Sequence, residues 1–400
     1  MQTEQTYFDD PLKKEFIAEV TDTIPMPDGR IGVILPATYF YPTSGGQDHD
    51  IGTIGSALVV DVYCQADGRI VHIVDTFLQP GKYPAQIDWT RRLNHMQHHT
   101  AQHILSGSFE HVLELPSVSA NINGDTPSTI DLDAPEPAWE DLRQVEKFAN
   151  QIVFENRTVK AYFITDVDVP SVPFRRPPTI SGQIRVIEVD GFDYSACGGT
   201  HCPSTAMVGL VLIVKTERVN HKSRIHFVAG MRALELIQTY QDTIRSAVGL
   251  LETNPAGLAD AIRKNKENLL ETSANYAAIR DKLLTFESDQ MIASAKDVAG
   301  RKLITELFQF RSAEELRALG TKLSASPGIV AIIASCEAQK LSMVVACAPG
   351  TGLDARDILK VHLEAIHGRG GGDPILAQGG GVCDQSALSG LFEHTLDSIT

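Results

Sequence analysis

Of the 400 residues only 6 are cysteines, and no two of them form a Cys-x-x-Cys pair; Cys197 and Cys202 are the one close couple. That spacing excludes an ordinary zinc ribbon, and thiols so few and uneven suit a reducing compartment where they stay free or bind metal. Long apolar runs are also missing. The opening "MQTEQTYFDDPLKKEF" has nothing like the apolar core of a signal peptide, and no later stretch approaches bilayer length. Secretion and membrane insertion are therefore not expected, and a cytoplasmic location is. Positive charge is scarce: 35 Lys+Arg stand against 50 Asp+Glu, for a net charge of −15. This excludes a broad basic surface but leaves room for local clusters at Arg91-Arg92, Arg175-Arg176 and Lys222-Ser223-Arg224 that could meet a phosphate. Taken singly, each cluster reads as solvated surface charge.

What is present is a hydrophobic share of 43%, enough over this length to bury the cores of two or three domains. Residues 1–90 carry short alternating apolar runs broken by glycine, aspartate and proline, which is the pattern of strands and turns. The stretch 93–115, "LNHMQHHTAQHILSGSFEHVLEL", has no proline, only Gly107 as glycine, and apolar residues at helical intervals. A second helix is expected at about 137–156, after which strand-like runs return up to residue 229. From 230 to 298 the chain turns helical with one break at "ETNPAG". Beyond it Ile262, Leu269, Tyr276 and Leu283 fall seven apart, so a helical hairpin is expected there. Residues 299–400 alternate helix-like and strand-like runs and end in a glycine-rich loop, an α/β pattern.

Three short stretches carry chemistry. In "HHTAQH" the imidazoles of His99 and His103 stand four apart, roughly 6 Å along one helix face, a spacing from which two can converge on one ion. His95 and His99 meet the same condition, so the helix alone does not choose the pair. "CGGTH" offers Cys197 and His201 across two glycines that free the backbone to turn, at the end of a strand-like run. Soft sulfur with imidazole nitrogen suits Zn²⁺, and three imidazoles with one thiolate complete a tetrahedron. The third stretch, "FYPTSGGQDHDIG", is a glycine-containing turn bearing Thr43, Ser44 and Gln47, and by itself reads as a hairpin connection.

Together these motifs resemble those of the editing domain of alanyl-tRNA synthetases and its free-standing relatives, the AlaX proteins. "FYPTSGGQDHDIG" resembles FYPxGGGQxxDxG, "RRLNHMQHHTAQHILS" resembles RRxxHMQxHTxQHxLS, and "CGGTHCPSTAMVGLVLIV" resembles CGGTHxxxTxxIGxxKI. Near the end "HGRGGGDPILAQGGG" resembles the GGxGGGRPxxAQGGG signature of the synthetases' C-terminal DHHA1 domain. The order also matches, giving the arrangement of the long form of AlaX. Ser44 stands where the family commonly has glycine, and Asp373 where an arginine is frequent, which removes a positive charge.

The resemblance implies an α+β editing domain, made of a β-rich part (1–90) and a zinc-binding α/β part (91–229). A helical connector (230–298) and a C-terminal α/β DHHA1 domain (299–400) follow. It selects His99, His103, Cys197 and His201 as the ligands of one Zn²⁺. The activity implied is hydrolysis of mischarged tRNA(Ala), chiefly Ser-tRNA(Ala) and in some members Gly-tRNA(Ala). An activation site for a small amino acid rejects an added hydroxyl poorly, so a second site must correct it. Thr43 is the implied reader of the serine hydroxyl, with Gln47 a second polar contact. A zinc-bound water is the implied attacking group, with no residue singled out as general base. Arg369, Gly370, Gly371, Gly372, Gln378, Gly379 and Gly380 are the implied tRNA contacts, and a homodimer through the C-terminal domain accompanies them. With the first motif only about forty residues in, the chain is not expected to make alanyl-tRNA. The alternative is a tRNA-binding protein with a structural zinc and no hydrolase activity.

Overall fold

In the computed structural model of the protein, the helix expected over 93–115 runs from Trp89 to Leu113. Asp88 caps it by accepting the Arg91 N–H at 3.0 Å, and Glu114, in the left-handed region at φ 57°, ends it. Most residues from Arg92 to Phe109 are buried, although histidine, glutamine, threonine and serine crowd the segment. A helix buried on every side is normally apolar. Here most of the polar groups are answered by neighbouring segments, and those answers build the site; His95 is an exception, its two ring nitrogens buried without a partner among the described residues. The structure describes all residues except Met1, Pro27, 338–339, 366–367, 383–391 and 393–400.

The described residues form six α-helices and several sheets in two units, Met1–Ala247 and Val248–Thr400. In the first unit the β-rich segment makes a seven-stranded antiparallel sheet, from Glu15–Val20 at one edge to Asp22–Pro25 at the other. Its alternating inner residues, among them Val20, Val33, Val59, Val62 and Ile87, form one core. A four-stranded sheet (Ser117–Asn121, Ser128–Leu132, Lys222–Ala229, Val211–Val219) and the helix Trp139–Phe154 share a second core with Ile104, Leu105 and Phe109 of the central helix. A three-stranded sheet (Val159–Thr165, Gln183–Val189, Asp193–Ala196) ends at "CGGTH". The helix Met231–Leu250 follows.

The second unit holds the helix Leu258–Ala293, on which Ile262, Leu269, Tyr276 and Leu283 are exposed. Its six-stranded sheet is covered on both faces. Along Ile329–Glu337 the residues Ile329, Ala331 and Ile333 meet Leu316, Leu319 and Leu323 of helix Ala313–Ser324. The alternate set, Val330, Ile332 and Ala334, meets Ile358, Leu359 and Leu363 of helix Ala355–Ala365. A strand buried on both faces reads as continuous hydrophobe, as "GIVAIIASC" does.

One expectation is corrected. The glycine-rich loop is a pair of antiparallel strands, Arg369–Gly372 and Leu376–Val382, the former at the sheet edge. Glycine usually weakens a strand. Here a Cβ on Gly370 would stand 2.4 Å from the Gln378 carbonyl oxygen, so the strands approach too closely for any side chain. Asp373, the departure from the family pattern, closes their turn: its carboxylate accepts the N–H of Ile375 and Leu376 at 2.8 and 2.9 Å. No helix among the described residues is long and apolar enough to cross a membrane.

Candidate metal centre

The central helix and "CGGTH" bring their four donors together. One ligand atom each from His99, His103, Cys197 and His201 lies within 4.8 Å of the others, a group that could hold a metal ion. The ring centroids stand 5.5 Å apart for His99 and His103, 4.4 Å for His99 and His201, and 4.8 Å for His103 and His201. Cys197 Sγ is 3.2 Å from His99 Nε2 and 3.4 Å from His201 Nε2. His95, one turn earlier, is buried but outside the group; burial, helped by the charge of Arg91 nearby, lowers its pKa to about 4, so it stays neutral.

Each donor is held from behind. His99 Nδ1 bonds Gln47 Oε1 at 2.8 Å, and Gln47 in turn donates to Thr200 Oγ1 at 2.9 Å. His103 Nδ1 faces Asp193 at 3.3 Å, and that carboxylate also accepts from Arg175 Nε at 2.7 Å and Ser195 Oγ at 2.8 Å. His201 Nδ1 meets Thr100 Oγ1 at 3.3 Å. With every Nδ1 engaged, the Nε2 atoms are left for an ion, the arrangement that fixes tautomer and ring orientation in metal sites. Arg185 Nη1 pins the ligand loop by donating to the carbonyls of Cys197 at 3.0 Å and Gly199 at 2.8 Å.

Glycine is required at 199 for contact and not for the turn. A Cβ there would lie 2.1 Å from His99 Cε1, so only a bare backbone lets the imidazole reach the sulfur. Burial pushes the Cys197 thiol up, yet the surrounding His99, His201 and His103 outweigh it and hold the thiol well below its usual range. Burial lowers His103 as well, but Asp193 and Cys197 bring it up to about 9. Sulfur is thus favoured as thiolate, the form that binds metal.

Three of the four, His99, His103 and Cys197, line a 450 Å³ cleft whose walls also include Gln102, Ser117, Phe163, Arg176 and Gln183. Among the described residues the lining holds three arginines, 175, 176 and 185, and no carboxylate, in a chain of net charge −15.

The other sequence-predicted residues fall as follows. Gln47 is fully buried, its amide committed to His99 and Thr200. Thr43 is exposed and outside the cleft lining; its hydroxyl contacts His49 at 3.0 Å, while Gly45 of the same turn does reach the wall. Arg369, Gly370, Gly371, Gln378, Gly379 and Gly380 line a separate 400 Å³ cleft in the second unit, and Gly372 ends the same edge strand. The arginine pairs are not simple surface charge. Arg92 is completely buried against Asp50, and Arg175 is anchored on Asp193, because each answers a buried carboxylate. Sequence reading missed Asp193, Arg185 and Thr100; Thr100 sits inside "HHTAQH", whereas the other two carry no local signal.

Replacing Gln47 by Ala removes the acceptor that orients His99. Metal affinity, measured by competition with a chromogenic chelator, is expected to fall roughly 10- to 100-fold with the fold retained.

The chain is also similar to known proteins. Residues 184–224, which include Cys197 and His201, match the family model described as the threonyl and alanyl tRNA synthetase second additional domain. The alanine–tRNA ligase of Methanosarcina mazei is 30% identical over 421 aligned positions, covering 100% of this chain and 44% of the relative. That of Archaeoglobus fulgidus is 30% identical over 94% of this chain and 42% of its own length. For Ignicoccus hospitalis the figures are 34%, 82% and 37%. The chain therefore spans less than half the length of these relatives. A solved structure, the C-Ala domain of Aquifex aeolicus alanyl-tRNA synthetase, aligns at 24% identity and a TM-score of 0.25, covering 26% of this chain and 96% of that one. The chain is thus similar along its whole length to part of the archaeal alanine–tRNA ligases, which is consistent with an AlaX-like editing protein.

Proposed function

We propose that this protein hydrolyses tRNA(Ala) mischarged with serine, and with glycine as a second substrate, in the cytoplasm. The observation that carries the reading is the convergence of His99, His103, Cys197 and His201 on one point, with the first three of them lining an open cleft. Nitrogen and thiolate donors in this number suit Zn²⁺. Zinc bound there would supply Lewis acidity toward the ester carbonyl and a lowered pKa for water. In the net reaction water adds to the acyl carbon, the bond to the ribose oxygen breaks, and free serine and tRNA leave.

The chain's own residues supply the rest. Gln47, Asp193 and Thr100 fix the three imidazoles, and Arg185 holds the backbone beside the sulfur. With Arg175 and Arg185 engaged inside the protein, the exposed Arg176 in a lining without carboxylates suits the phosphate-bearing end of a tRNA. Sparing alanine needs a buried polar group that the serine hydroxyl satisfies and alanine leaves unpaired. Thr43 fits this role only indirectly, through the turn that carries Gly45 to the wall. Gln102 and Ser117 lie in the lining itself, and Arg175 fixes the Ser117 hydroxyl at 3.1 Å.

In the second unit, the bare edge strand Arg369–Gly372 with Gln378, Gly379 and Gly380 opposite allows close approach of a phosphate backbone, and Lys340 lines the same cleft. Dimerisation through this unit belongs to the same proposal and rests on the family resemblance. The test is a panel of Ser-, Gly- and Ala-tRNA(Ala): the seryl ester is expected to be lost and the alanyl ester to persist.

A further inference from the structure

The three-stranded sheet that ends at "CGGTH" carries an aromatic ring in line with the metal ligand. In its register Phe163 pairs with Arg185, and the Cys197 N–H donates to the Arg185 carbonyl at 3.1 Å. Phe163, Arg185 and Cys197 thus form one row across the sheet, and all three line the same cleft. Two strand spacings separate the ends of the row, roughly 10 Å. Phe163 is 47% exposed, yet it is not loose. Phe8 supports it edge-to-face at 6.0 Å, and the Arg185 guanidinium lies 4.4 Å over the Phe8 ring. Single exposed hydrophobes are common and need no explanation. This one is a braced ring in the cleft wall, in register with the candidate centre.

Beside it on the same face, Gln183 pairs with Thr165; it is exposed and lines the cleft with a free choice of donor and acceptor. The exposed Arg176 borders the same space.

We propose that Phe163 is the stacking platform for a purine base, that of the 3′-terminal adenosine of the tRNA, with Gln183 at the base edge and Arg176 toward the adjoining phosphate. The proposal rests on the editing reading above, since it needs an ester linked through a ribose to that base. An ester over the histidines and a base on Phe163 are separated by about one ribose, which matches the spacing of the row. Unpaired RNA ends are generally recognised by stacking on aromatic side chains and by hydrogen bonds to the base edges. Stacking of this kind strengthens binding of a base roughly tenfold or more.

The test uses the full chain with Phe163→Ala and Phe163→Tyr, in two measurements. One is calorimetric binding of the trinucleotide CpCpA against CpCpC; the other is kcat and KM for deacylation of Ser-tRNA(Ala). Expected are a preference of the wild type for CpCpA, a roughly tenfold weaker binding in Phe163→Ala, and near wild-type binding in Phe163→Tyr. KM should rise by a similar factor in Phe163→Ala with kcat little changed. Equal binding of CpCpA by wild type and Phe163→Ala, or no preference for CpCpA over CpCpC, overturns the subsite. Loss of CpCpA binding in Phe163→Ala from a wild type that hydrolyses no ester upholds the subsite and sinks the editing reading instead.

Discussion

Cys197→Ala should leave a folded protein that no longer deacylates Ser-tRNA(Ala), with a single-turnover rate lower by about three orders of magnitude or more. The size follows from the several kcal/mol that a bound metal ion contributes to such a reaction, each 1.36 kcal/mol being about tenfold in rate. The variant removes the one anionic donor of the group and leaves three imidazoles, of which Asp193 favours protonation in His103. Bound zinc, read by mass spectrometry of the native protein, should fall in parallel. Retention of the fold is expected because Cys197 packs against the core around Ile104, Leu105, Phe109, Ile130 and Phe227 only from its margin and is not one of its fully buried members. The stability cost should stay below about 2 kcal/mol, within the ordinary range for a single substitution. A closed set of four protein donors is also the form of a structural zinc site. That reading requires the same variant to unfold, as circular dichroism would show, so the two outcomes separate.

The largest effect on stability is expected at Asp50→Ala. Arg92 and Asp50 are both fully buried, and the guanidinium also donates to the carbonyls of Tyr39 and Pro11 while Asp50 accepts the Tyr41 N–H at 2.6 Å. Removing one member of a buried pair leaves the other charge uncompensated, which costs about 3–5 kcal/mol. Urea denaturation should register that loss at a protein concentration held fixed. The pair also ties the turn bearing Gln47 to the helix bearing His99 and His103, so chelator competition should show weakened metal binding in the folded fraction. A cost under about 1 kcal/mol would mean that water reaches the site and that the pair is not the fastening described.

These two positions also show how far the sequence could be read. His99, His103, Cys197 and His201 were legible because chemistry demands particular residue types at helical and turn spacings, and the motif order brought the two halves together. The central helix was legible for the same reason: a run without proline leaves few alternatives. Arg92 was not, because an arginine beside another arginine looks the same in sequence whether water or a carboxylate 42 positions away answers it. Gln47 was singled out for the right loop but a different contact, since nothing local says that its amide turns inward to His99. The glycine strands were hidden by propensity: close approach of two backbones, and not side-chain preference, makes Arg369–Gly372 a strand. Phe163 carried no signal either. Its significance lies in a register across three strands, which no stretch of one strand contains.

The most direct test of the account is single-turnover deacylation by the zinc-loaded wild type, with Ser-tRNA(Ala) and Ala-tRNA(Ala) followed side by side at saturating protein. The account predicts rapid loss of the seryl ester while the alanyl ester decays at its spontaneous rate. A seryl ester that survives at saturation while the tRNA stays bound would contradict it and leave a tRNA-binding protein with a structural metal.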